Sequence, residues 1–223
     1  MTILGSGLLG NFYQPPTDDV GVKLFIKADG ANNSTNIFDS SPNPKTIIGK
    51  NTAKISTDFS KYGGSSIFMN QGYLEIINPL TLNDYTLEFW IYLTNSSLSS
   101  IYSGKSYNTH DFSVGQSEIR IGRINVAWDI AQPFNFILGQ WYHVAFCRLN
   151  SIQKIFVNGT SIYSSPYGQI INFSYTSYIG IAYDNYQGTF TREFSGYIDS
   201  IRLLSFGKYF NNFNPETDTG LNV

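Results

Sequence analysis

Residues 194–215 read "FSGYIDSIRLLSFGKYFNNFNP", and the two halves of this stretch ask for different surroundings. Tyr197, Asp199, Ile201 and Leu203 alternate with Ile198, Ser200, Arg202 and Leu204, the two-residue period of a β-strand. Then Phe206, Tyr209, Phe210 and Phe213 put four aromatics within eight residues, among glycine, lysine and asparagine. So much ring surface is costly in water, so the tail is expected to lie on the body of the domain as an aromatic staple.

The rest of the chain leans the same way. Of 223 residues 42% are hydrophobic and 16% aromatic, but only 13% are charged, about half the usual share. Aromatic and β-branched side chains pack well across pleated strands, and the many Asn and Gly residues suit tight turns. The net charge is −2 and no run of like charge occurs, so nucleic acid is excluded as a partner, as is attraction to an anionic membrane surface. No segment has the length of a membrane span, and none is expected to insert. The opening "MTILGSGLLGNFYQPP" lacks the basic n-region of a secretory signal. The one cysteine, Cys147, lies in an apolar strand pattern and is expected to be a small buried hydrophobe.

Residues 1–20, with "QPPTDD", read as an extended arm, and residues 21–223 as the folded domain. Strands are expected at "VKLFIK" (22–27), "TIIG" (46–49), "SSIFM" (65–69) and "YLEII" (73–77). The clearest is "YTLEFWIYL" (85–93), with Leu87, Phe89 and Ile91 on a core face and Thr86, Glu88, Trp90 and Tyr92 on a half-exposed one. Others follow at 100–106, 118–122, 125–129, 141–149, 154–159, 160–165, 177–184 and 196–205. The Asn158-Gly159 pair marks a two-residue hairpin turn. No window shows a sustained helical period. The expected fold is all-β, a two-sheet antiparallel β-sandwich of the jelly-roll kind.

Five of these pieces, "YTLEFWIYL", "WYHVAFCRL" (141–149), "KIFVNGT" (154–160), "YIGIA" (178–182) and the 194–215 stretch, come in an order that resembles the laminin-G-like jelly roll of the concanavalin A-like lectin and glucanase superfamily. "LFIKADG" and "KYGGSSIFMNQGYLEI" are similar to that family's opening strands, so the resemblance spans residues 22–215. It implies that "GYIDSIRL" is the closing strand, paired beside the first. The aromatic tail resembles those of laminin-G-like domains in bacteriophage virion proteins.

Some members of the superfamily hydrolyse glucans with a Glu-x-Asp-x-x-Glu row. Here Glu88 stands alone between Thr86 and Trp90, and Glu118 and Glu193 lie in other segments with no acid two residues on. General acid and base need each other across the sugar, so no catalytic residue is assigned and the chain is expected not to be an enzyme. His143, within "WYHVAF", is expected to be a structural ring, and His110, in "YNTHDF", to lie in a loop. Zinc-ligand spacing is absent. Relatives hold calcium at the sandwich rim, and the resemblance makes Asp29, Asp39 and Asp199 its candidate ligands.

A sugar site needs flat rings with amides and carboxylates around them. One candidate is Glu88, Trp90 and Tyr92 with Trp128; the other is the loop "YDNYQGTFTRE" (183–193), through Tyr183, Asn185 and Tyr186. Together with the resemblance they imply a non-enzymatic virion protein of the decoration or tail-appendage kind. Its expected partners are a cell-surface glycan or neighbouring virion proteins, with a homo-oligomer such as a trimer implied by the resemblance; the alternative is a stand-alone lectin.

Overall fold

A computed structural model describes residues 21–77, 80–173, 176–217 and 220–221; the arm expected over residues 1–20 lies outside them. The elements among the described residues are nineteen β-strands. The first nine are β1 (Val22–Ile26), β2 (Ile47–Lys50), β3 (Lys54–Ser56), β4 (Ser66–Asn70), β5 (Tyr73–Ile77), β6 (Leu80–Leu82), β7 (Tyr85–Leu93), β8 (Ser99–Gly104) and β9 (His110–Gly115). Next come β10 (Glu118–Arg123), β11 (Ala127–Pro133), β12 (Trp141–Leu149), β13 (Ile152–Val157) and β14 (Thr160–Pro166). The last are β15 (Ile171–Phe173), β16 (Thr176–Ile179), β17 (Ala182–Asp184), β18 (Thr189–Thr191) and β19 (Ser195–Leu204).

Two large antiparallel sheets form the sandwich. One runs β14-β13-β12-β7-β19-β4-β3, with β1 also on β19; the other runs β11-β10-β9-β8-β16-β5-β2. The closing strand does what the resemblance implied: its first half pairs with β4 and its second half with β1, Ile201 lying opposite Ile26. Between those halves the register shifts, and Ser200 takes a left-handed φ of 50°. The hairpin at Asn158-Gly159 is also as expected, with positive φ at both residues and Val157 opposite Thr160.

Alternation along the strands fills the space between the sheets. Leu87, Phe89 and Ile91 of β7 meet Phe112, Val114, Ile119 and Ile121 of the other sheet, all fully buried. The Phe112 and Phe146 rings touch across the gap at 5.0 Å. Three sequence readings change. The 177–184 run is broken after Ile179, so that β17 turns out to pair with β18 in a separate hairpin. His110 opens β9 instead of lying in a loop. The outer face of β7, expected to be half exposed, is buried from Thr86 to Trp90.

Candidate functional site

What covers that outer face is the aromatic tail. The Thr86 hydroxyl donates to the Phe206 carbonyl at 2.9 Å and accepts from the Lys208 amide at 2.8 Å. The Phe213 amide donates to the Gly159 carbonyl at 3.0 Å, and Tyr209 stacks on Phe213 at 3.7 Å. Phe206 and Tyr209 are buried and Phe210 is exposed, so the staple expected from the sequence is built by three of the four rings. Cys147 is buried beneath it, its thiol donating to the Tyr209 carbonyl at 3.3 Å.

Glu88 lies under this cover. Its Oε1 accepts from Arg202 Nε at 3.0 Å and Nη2 at 2.6 Å. Its Oε2 accepts from the Tyr209 hydroxyl at 2.7 Å and faces His143 Nε2 at 3.2 Å. Burial opposes ionisation here, but Arg202, His143 and Lys208 outweigh it and hold the carboxyl at about 2. Trp90 is 3% exposed, with Lys61 Nζ 4.0 Å from its ring centroid and Leu221 packed beside it. Tyr92 is half-buried, stacked on Phe59 at 4.7 Å. The ligand role expected for Glu88 and Trp90 is therefore corrected: both are interior, because the tail and its neighbours occupy the face they point to. Tyr92 and Trp128 belong to different sheets, so this first candidate platform does not assemble.

The three aspartates proposed for calcium are not gathered either. Asp39 accepts from the amides of Phe25, Ser41 and Lys45 and from the Ser41 hydroxyl, at 2.8–3.0 Å. Asp199 accepts from the amides of Lys61 and Tyr62 at 2.8 and 3.0 Å, and burial pushes it up to about 6. Asp29 sits against Gly63. Among the described residues no three His, Cys, Asp or Glu side chains form a metal-binding group. Asp39 and Asp199 are thus engaged with backbone donors, and Asp29 lies close enough to Asp199 to help raise it.

Trp128, Asn185 and Tyr186 do come together. A groove of about 330 Å³ opens at the end of the second sheet, lined by Asp111, Arg123, Asn125, Val126, Trp128 and Arg192 among others. A β-bulge between β10 and β11 puts Trp128 opposite Gly122. A Cβ on Gly122 would lie 2.6 Å from the indole, so glycine is what allows the ring to settle against β10. The indole stays 38% exposed, with the guanidinium carbons of Arg120 and Arg192 5.0 and 5.1 Å from its centroid.

Polar groups around the ring are fixed. Asp111 is buried and accepts from Arg192 Nη2 at 2.6 Å and from the hydroxyls of Ser100 and Ser113 at 2.6 and 3.0 Å. Arg192 holds a left-handed φ of 54°, a conformation that bulky residues keep only where their surroundings impose it. Asn125 ties the groove to the 183–188 loop, donating to Asp184 at 2.8 Å and accepting from the Asn185 amide at 3.1 Å. Asp184 also accepts from the amides of Tyr186 and Gln187. Tyr186 is 75% exposed, 6.2 Å from the ring of Tyr107. Asn185 and, through the Asp184 turn, Tyr186 thus join the rim on which Trp128 stands, whereas the Tyr183 ring packs on Phe190 at 5.2 Å. The sequence pattern singles out none of Asp111, Arg123, Asn125 and Arg192, because their roles depend on contacts between separate strands.

A family profile described as the concanavalin A-like lectin/glucanases superfamily, of the laminin-G type, matches residues 68–206. Among curated proteins none matches the chain. Among solved structures, domain 4 of AbnA, a GH43 extracellular arabinanase from Geobacillus stearothermophilus in complex with arabinotriose, superposes with a TM-score of 0.67 at 18% identity, over 91% of this chain and 98% of that one. The binding domain of botulinum neurotoxin serotype D/C superposes with a TM-score of 0.62 at 13% identity, over 85% of this chain and 50% of that one. The receptor binding domain of botulinum neurotoxin type G gives 0.63 at 12%, over 84% and 48%. The chain therefore spans about half the length of the two toxin domains, and all three likenesses are of fold. With its two-sheet antiparallel topology and a family match over more than half its length, the chain belongs to the laminin-G-type branch of the concanavalin A-like lectin/glucanase superfamily.

Proposed function

We propose that this chain is a non-enzymatic adhesion module that binds a glycan in the groove beside Trp128. The observation that carries the reading is the pairing of a half-exposed indole with fixed polar groups, Asp111, Asn125 and Arg192, around an open groove. That combination of a flat apolar surface and a few oriented donors and acceptors suits a sugar ring. The arabinanase domain of similar fold was solved with arabinotriose, and the toxin domains are binding domains, which supports the same class of ligand. Binding without turnover is supported by the acids nearby: Asp111, Glu118 and Asp129 are each held by an arginine, so none is poised as acid or nucleophile opposite a partner.

The test is retention on an array of immobilised glycans. The native chain is expected to be retained. Trp128→Ala and the Tyr183→Ala/Tyr186→Ala pair are expected to lose at least about tenfold in affinity, the equivalent of about 1.4 kcal/mol. Undiminished binding by both variants would remove the groove from the reading. The finer setting is a virion component that adheres to a cell-surface glycan or to a neighbouring virion protein. It rests on the resemblance of the closing strand and aromatic tail, and absence of the chain from purified particles would overturn it.

A further inference from the structure

Resting on that reading, we infer that the groove selects an uncharged sugar and gives no advantage to sialylated, uronic or sulfated glycans. The inference comes from how the charges around Trp128 are already matched. Arg120 gives Nε and Nη2 to the two oxygens of Glu118, both at 2.8 Å. Arg123 forks onto Asp129 in the same way, again at 2.8 Å. Arg192 is paired with Asp111 at 2.6 Å. Two of the three guanidinium groups thus present their bidentate edge, the feature that recognises a ligand carboxylate or sulfate, to a carboxylate of the protein. The third is held by Asp111 through Nη2 alone and lies against the indole, its Nε buried out of a ligand's reach and without a partner.

The facing loop does not alter the balance. Lys105 stands 5.8 Å from the Tyr183 ring, and Asp184 on the same loop carries the opposite charge. Among the described residues no positive surplus is left at the rim, so an anionic ligand would lose water without finding a cation that lacks a carboxylate nearby. A hydroxyl is different, because it both donates and accepts. The Arg192 side chain, 30% exposed and held by the buried Asp111, offers donors to ring hydroxyls, and the Asn125 amide on the same groove both donates and accepts, with the indole beside them for the apolar face of the ring.

Three measurements on the full chain test this: a mixed array of neutral and acidic glycans, a salt titration of the best binder, and the Glu118→Gln variant. Neutral glycans are expected to be retained best. Their affinity should change less than about twofold between roughly 50 and 500 mM salt, since screening acts on net charge. Glu118→Gln frees Arg120 beside the indole and should shift preference towards acidic glycans by about tenfold. Preferential, salt-sensitive retention of acidic glycans by the native chain that is lost in Trp128→Ala would overturn the inference and leave the groove as the site. Native-like retention of Glu118→Gln on both ligand classes would also count against it. Binding that survives Trp128→Ala, or no binding to any glycan, would instead bring down the functional reading on which the inference stands.

Discussion

Glu88 keeps its charge where burial disfavours it, and the groups that permit this arrive from distant parts of the chain. Arg202 lies 114 residues away in sequence and Tyr209 lies 121. A lone acid between Thr86 and Trp90 carries no trace of such partners, which is why the sequence reading left Glu88 near a ligand surface. Removing the carboxylate would strand Arg202, so Glu88→Gln is expected to cost about 3–5 kcal/mol, checked by urea unfolding. The linkage to pH follows from the sign of each shift. The folded carboxyl of Glu88, held at about 2, lies below its ordinary value near 4.5. Its stabilisation is therefore full above about pH 4.5 and is lost as pH falls towards 2. Asp199 behaves oppositely: raised from 3.8 to about 6, it stabilises at low pH and loses that contribution as pH rises from about 4 to 6. Glu88→Gln should flatten the acid limb of the stability profile, and Asp199→Asn the limb between pH 4 and 6.

At the scale of single elements, alternation made the strands legible. The inner faces of β7 and β12, the hairpin at Asn158-Gly159 and the closing strand are all where the pattern puts them. Burial of the second face of β7 was not legible, because it depends on the tail, and aromatic tails show no period that says where they land. Tyr209 reaches Glu88, whereas Phe210, the next residue, faces solvent. Tyr209→Ala should then cost about 3–5 kcal/mol through its cavity and lost hydrogen bond, and Phe210→Ala less than about 1 kcal/mol. The same contrast should appear in the reaction of Cys147 with a thiol reagent. Burial raises the Cys147 thiol above its ordinary value, so the native chain and Phe210→Ala should react slowly and Tyr209→Ala faster; equal rates in all three would show that the tail does not seal the face. The bulge that lays Trp128 against Gly122 was equally hidden, since the tight turn at Asn125 and the offset of one residue in β11 leave the alternation around "NVAWD" looking ordinary.

For the whole molecule, the sandwich was readable from composition, strand spacing and the order of the family's pieces. The site was only half readable. Trp128 and the 183–186 loop carry the residue types a sugar needs, but their meeting depends on two hairpins, β10–β11 and β17–β18, converging through Asn125 and Asp184. Asp111 and Arg192 gain their place only once β9 and the strand end before β19 are side by side. The central claim is that the groove beside Trp128 is where a glycan binds. The chain has three tryptophans, which makes their indole N–H signals a direct report in a nitrogen-15 NMR titration with the neutral oligosaccharide the array selects. The Trp128 signal is expected to move with saturation while those of Trp90, buried against Phe25 and Leu221, and Trp141 stay in place. Movement confined to Trp90 or Trp141, or no saturable movement of Trp128, would contradict the account.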